Sequence, residues 1–185
     1  MRSSFALFSF LILFGCHQSS NNPPELTRSQ QVSKRAHAFF QTFADRNDWE
    51  AFCSFYREDM FFQDIMLQIE LDSLWQFKRF YAWDSPDYEF EKLTPEQPHL
   101  TVVNLIANDS SAMATGHFNP FYYNGDLIDT EWGMEFTIIL YFDQDLKIVK
   151  QTDWIEYDDY ALEAVIERCR KFGFRAPPAW LDLSK

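Results

Sequence analysis

Apolar positions along the chain follow two periods, and the change comes near residue 88. Over residues 29–44, Val32, Ala36, Phe39, Phe40 and Phe43 recur at the three- and four-residue steps that form one face of a helix. Asn47-Asp48 ends that helix and can cap a second over residues 49–56. Residues 60–66 make a short apolar strand interrupted by Gln63 and Asp64. Asp72 is placed to cap a third helix over residues 73–83, with Leu74, Phe77, Phe80 and Tyr81 apolar, and Ser85-Pro86-Asp87 breaks the chain after it.

Beyond residue 88 the pattern is that of strands. Residues 100–107 lead to the turn Asn108-Asp109-Ser110, residues 111–121 follow, and Asn124-Gly125 marks another turn. In residues 127–142, Ile128, Thr130, Trp132, Met134, Phe136, Ile138, Leu140 and Phe142 alternate with Asp129, Glu131, Glu135 and Thr137. That predicts one long strand with a buried face and a more polar one. Asp143-Gln144-Asp145 turns the chain into a strand over residues 146–157, and Asp158-Asp159 caps a closing helix that runs to about residue 171. Helices, then a long run of antiparallel strands, then a helix predict an α+β domain. Its helices pack on one face of a curved, mainly antiparallel sheet and leave a cone-shaped space at the open end.

The first residues stand outside that domain. Arg2, the apolar run of residues 5–14 and Gly15 have the form of a signal peptide over residues 1–15. The run is shorter than the roughly 20 residues a membrane-spanning helix needs. Leu13-Phe14-Gly15-Cys16 resembles the bacterial lipobox, with Phe14 bulkier than usual. That resemblance implies cleavage before Cys16, diacylation of Cys16, and an exported protein anchored to a membrane by its lipid. With His17 rather than Asp next, it also implies the outer membrane, with the domain facing the periplasm. Residues 16–28 are polar, contain Pro23-Pro24 and read as a tether.

Charge narrows the partners. Sixteen basic against 28 acidic residues leave a net charge of −12, which opposes binding to nucleic acid and electrostatic adhesion to anionic lipid. Twenty Phe, eight Tyr and six Trp are enough both to fill a core and to line a cavity. Cys53 and Cys169 could pair in an oxidising compartment, but Cys53 beside Phe52 and Phe55 equally suits a buried thiol. The histidines at 17, 37, 99 and 117 lack metal-ligand spacing, and no Gly-rich loop is present to hold a phosphate. Neither a metal nor a cofactor is expected.

Two segments carry a family resemblance. Residues 39–64, FFQTFADRNDWEAFCSFYREDMFFQD, are similar to the opening of the SnoaL-like branch of the nuclear transport factor 2-like superfamily. There a helix, an Asp-containing turn and a second helix lead to a strand reaching an Asp. Residues 146–157, LKIVKQTDWIEY, look like the last strand of that family, with Leu146 where the family has Gly. The resemblance covers about residues 30–160 and implies a conical pocket, with a homodimer possible through the outer sheet face. The domain is accordingly taken as residues 29–160, and residues 161–185 as a helical extension.

The family includes both enzymes and binders, so each site is weighed singly. Asp64 resembles the base of steroid isomerase-like members. However, Phe40 stands where those enzymes have a Tyr, and residues 136–140 lack their second acid, which argues against that reaction. Asp153 resembles the Asp of epoxide hydrolase-like members, yet residues 111–121 lack the Arg and Asp that assist it. His117 shares a strand face with Met113, Thr115 and Asn119, and could serve as acid or base with either Asp. Trp132 and Trp154, with Phe40, Phe62 and Tyr157, are the expected ligand-binding residues. The leading expectation is a pocket for a small apolar molecule. The alternatives are a cyclase, isomerase or dehydratase using Asp64, Asp153 or His117, and a protein-interaction module using the outer sheet face.

Overall fold

The structure is a computed structural model that describes residues 25–67, 69–81, 83, 89–131, 133–159, 162–163 and 166–167. Helix α1 (Arg28–Asp45) starts with a capping box: the Thr27 hydroxyl accepts from the Gln30 N–H, and the Gln30 side chain accepts from the Thr27 N–H. The Arg28 guanidinium then donates to the carbonyls of Asp109, Asp143 and Gln144, tying the start of the helix to two strand turns. Asp48 caps α2 (Trp49–Cys53) through the Ala51 N–H at 2.8 Å. This helix is shorter than expected, because Tyr56 already belongs to β1 (Tyr56–Asp64). After β2 (Ile69–Leu71), α3 (Leu74–Tyr81) is capped by Ser73 rather than Asp72. The Gln76 side-chain Oε1 accepts from the Asp72 N–H, which adds to that cap.

Strands β3 (Phe90–Lys92), β4 (Leu100–Ala107), β5 (Ser111–Phe118), β6 (Phe121–Tyr123), β7 (Asp126–Ile128), β8 (Glu135–Phe142) and β9 (Ile148–Ile155) follow. Six strands form one sheet in the order β2-β1-β9-β8-β5-β4, and β3-β6-β7 form a small second sheet. Every pairing in the large sheet is antiparallel except β1 with β9, which is parallel. The expected long strand over residues 127–142 is two strands in different sheets. Between them Thr130 is buried because its hydroxyl donates to the Phe118 carbonyl, not because it sits in a ladder, and Gly133 turns the chain at φ +93°. Helical residues at 159, 162–163 and 166–167 follow β9, and Ile166 is buried.

The core lies between the helices and the inner face of the large sheet. Phe39, Phe52, Phe62, Phe77, Ile138 and Leu140 are fully enclosed, and burial of each such side chain contributes about 1.5–3 kcal/mol. On β5 the inward residues are Ala112, Ala114, Gly116 and Phe118. At Gly116 the neighbouring strands leave no room for a side chain: a Cβ there would lie 2.0 Å from the Thr101 carbonyl oxygen and 2.8 Å from the Phe136 ring. Opposite Gly116, β4 bulges between Val102 and Asn104 and turns Val103 outward, where it is 63% exposed.

Candidate functional site

Two of the sequence-derived candidates meet inside the cone. Asp64 ends β1 and Asp153 lies on β9; parallel pairing makes them register partners, and both are fully buried. The ladder continues past them, with the Ile65 N–H donating to the Asp153 carbonyl at 2.9 Å. The Asp64 carboxyl accepts from the Leu67 N–H at 2.8 Å and from the Tyr157 hydroxyl at 2.6 Å. The Asp153 carboxyl accepts from the Tyr81 hydroxyl at 3.0 Å and from Gln151 Nε2 at 2.9 and 3.0 Å. Gln151 in turn accepts from the Tyr56 hydroxyl at 2.6 Å through its Oε1.

Burial in an aromatic shell governs the protonation of this cluster. Desolvation pushes the Asp64 carboxyl up to about 6, against the opposing pull of its hydrogen bonds from Tyr157 and the backbone. Burial also raises the Asp153 carboxyl well above the usual range, and the Asp64 charge raises it further. Tyr56, Tyr81 and Tyr157 are raised as well, burial being the first cause for each. The cluster therefore holds one carboxyl pushed up to about 6 beside a second raised by burial and by the charge of the first. Two acids pushed apart in this way are equipped to divide the roles of base and acid.

The other candidates lie elsewhere. Phe40 and Phe62 are core residues: Phe40 stacks 6.4 Å from Phe136, and Phe62 packs 5.2 Å from Phe77 and 5.4 Å from Phe80. The expected cone space at this level is filled by Phe39, Phe43, Phe52 and Trp83, with Phe52 stacked 4.3 Å from Trp83. His117 sits on the outer face of β5, paired with Glu135 of β8 and Thr101 of β4. The expected dyads of His117 with Asp64 or Asp153 therefore do not form, because the sheet lies between them. Trp154 is also outward, 39% exposed, rather than lining the cone. Trp132, Cys16 and Cys169 fall outside the described residues, while Cys53 is buried.

Sequence reasoning singled out both aspartates and Tyr157, but assigned no role in the site to Tyr56, Tyr81 or Gln151. Gln151 was detectable, since it shares with Asp153 the inward parity of β9. Tyr81 reads from helical spacing as one more apolar contact, and nothing local marks its hydroxyl as turned towards β9. Among the described residues, no group of three His, Cys, Asp or Glu side chains could hold a metal ion.

No family model and no curated protein matches the sequence. Solved structures do. A steroid delta-isomerase from Pseudomonas aeruginosa superposes with a TM-score of 0.53 at 14% identity, covering 80% of this chain and 96% of that one. PrhC from Penicillium brasilianum gives 0.52 at 11% identity, covering 80% and 93%. An NTF2-like protein from Burkholderia pseudomallei gives 0.51 at 12% identity, covering 78% and 97%. At such identities the likeness is one of fold. Helices against a curved six-stranded sheet, in this element order, give the chain the cone fold of the nuclear transport factor 2-like proteins.

Proposed function

We propose that the domain catalyses proton transfer on a small, largely apolar carbonyl compound, as an isomerase, cyclase or dehydratase does. The observation that carries this reading is the Asp64–Asp153 register pair: two buried carboxyls side by side, one ionising near pH 6. Ionised Asp64 takes a proton from the carbon next to the carbonyl. The Tyr81 hydroxyl and Gln151 Nε2, which donate to Asp153 in the resting site, turn to the oxygen on which charge develops. The substrate replaces Tyr157 as the partner of Asp64. The surrounding aromatic shell selects an apolar body and keeps water away from the base.

Phe40 is buried and has no donor to offer, so the oxygen must be served from the Asp153 side of the cluster. A second reading, a non-catalytic pocket for a small apolar molecule, is favoured by the completeness of the network, in which each carboxyl already has its partners. One experiment separates the two. The chain is incubated in D2O with a panel of cyclic ketones and enones, and deuterium uptake at the α-carbon is followed by NMR. Catalysis requires uptake that Asp64→Asn abolishes; uptake equal in the two proteins rejects it and leaves binding.

We place this domain outside the cytoplasm. The signal peptide of residues 1–15, the lipobox ending at Cys16 and the polar tether support a lipoprotein of the outer membrane that faces the periplasm.

A further inference from the structure

Gln151 is fully buried on β9, one inward position before Asp153, and its amide is bonded at both ends. The two ends are not interchangeable, because the oxygen only accepts and the nitrogen only donates. Nε2 donates to both oxygens of Asp153, at 2.9 and 3.0 Å, while Oε1 accepts from the Tyr56 hydroxyl at 2.6 Å. Asp153 does not fix this orientation by itself. An ionised carboxyl requires the nitrogen, but a protonated one can equally donate to the oxygen. Turned by half, the amide would take the Asp153 proton on Oε1 and point Nε2 at Tyr56.

Tyr56 decides between the two. It is 4% exposed, and its ring centroid lies 4.7 Å from that of Phe77, 5.6 Å from Phe52 and 5.9 Å from Phe39. Packed in this way, the ring holds its hydroxyl at one place in an apolar shell. Burial, and then the charge of Asp153, raise its pKa well above the ordinary value, so the hydroxyl keeps its proton and remains a donor. A turned amide would take away the acceptor of that proton, and a buried donor left without an acceptor is costly. Tyr81 does not fill the same role. Its hydroxyl donates to Asp153 at 3.0 Å and approaches the amide at Nε2, at 3.4 Å, rather than at Oε1.

We propose that Tyr56 is a positioning residue, whose hydroxyl fixes the Gln151 amide with its donor end towards Asp153. On the proton-transfer reading, on which this one consequence rests, the same orientation offers the substrate oxygen a donor rather than a lone pair. The test compares wild type, Tyr56→Phe, Gln151→Met and the double variant in the full chain, with folding verified by circular dichroism. The Asp153 carboxyl is followed by ¹³C NMR from pH 5 to 10. The other titratable groups that face it, Asp64 on β1, Tyr81 on α3 and Tyr157 after β9, stay in place throughout. In Tyr56→Phe the amide turns and accepts from protonated Asp153, which should hold its proton about tenfold more tightly. In the Gln151→Met background the same deletion should leave the Asp153 titration unmoved, because its effect passes through the amide. An Asp153 titration equal in wild type and Tyr56→Phe overturns the proposal, as does an equal displacement with and without Gln151. Wild type alone gives a second reading should a variant not fold: the Gln151 amide protons should show a nuclear Overhauser effect to the Tyr81 ring, and its absence overturns the proposal. An Asp153 displacement as expected, with no deuterium uptake by wild type, rejects the proton-transfer reading and retains the positioning role.

Discussion

Asp64 and Asp153 are register partners on adjacent parallel strands, yet each is served by its own tyrosine: Tyr157 donates to Asp64 and Tyr81 to Asp153. The two acids thus occupy distinct hydrogen-bonding environments at neighbouring positions. Burial raises both carboxyls against the pull of these bonds, and the Asp64 charge raises Asp153 further.

Stability should fall as pH rises through the titration of Asp64. Its folded-state value, about 6, lies above the 3.8 of an unperturbed aspartate, so the folded state binds the extra proton. The contribution is fully present below pH 3.8, and is lost between there and about 6. It amounts to roughly 3 kcal/mol. His99 acts in the opposite sense: burial first, then Arg46 and Lys92, hold its pKa well below the ordinary value, so it destabilises the fold as pH falls below about 6.5. Denaturant unfolding of wild type and Asp64→Asn across pH 3.5–7 isolates the Asp64 contribution as the difference between the two. A pH-independent difference would contradict the assignment.

Removing one hydroxyl should move that titration. The Tyr157 hydrogen bond pulls Asp64 down, so Tyr157→Phe should raise the Asp64 pKa above its value of about 6. Carboxyl ¹³C shifts followed against pH read it directly. If Asp64 is the base in deuterium exchange, the acid limb of the activity profile should move to higher pH with it.

Gly116 should tolerate no side chain. A Cβ there would lie 2.0 Å from the Thr101 carbonyl oxygen, and a backbone atom cannot swing aside as a side chain can. Gly116→Ala should therefore cost about 1–3 kcal/mol, read as a lower denaturant midpoint. Phe52→Ala works by the opposite route, leaving a void among Phe39, Phe43 and Trp83. Its expected cost is about 3–5 kcal/mol.

The proposed lipid anchor rests on one thiol, that of Cys16. Cys16→Ser in the full chain should abolish acyl incorporation from radiolabelled palmitate and prevent cleavage before residue 16. Fractionation then separates a lipid anchor from a secreted protein: unlabelled wild type recovered in the soluble periplasm would overturn the lipoprotein reading.

Much of the fold was legible because helices and strands advertise their buried faces locally. The 3.6-residue spacing of Val32, Ala36, Phe39, Phe40 and Phe43 located α1 to within a residue. The alternation of Phe136, Ile138, Leu140 and Phe142 located β8. The same alternation misled at Ile128 to Met134, where a turn stabilised by the Thr130 hydroxyl mimics a period of two. Strand parity also shows which residues share a face, but not which face is inward. On β5 the polar set with His117 was read as the pocket side, whereas the buried Ala112, Ala114 and Gly116 set faces inward, with Gly116 hemmed in by Thr101 and Phe136. Both aspartates were visible singly. Their meeting was not, since it depends on a pairing between segments some ninety residues apart, as the Tyr157–Asp64 bond spans 93 residues.

That parallel seam also constrains how the chain is made. Strand β1 has only β2 to pair with until β9 is available, so the centre of the large sheet cannot zip until residue 155 has been synthesised. Closing a loop of this length is slow relative to local helix formation, and places folding among the topologies that take milliseconds to seconds. The β4-β5-β8 meander can pair first, but it stays unjoined to β1 and β2 until that last strand arrives.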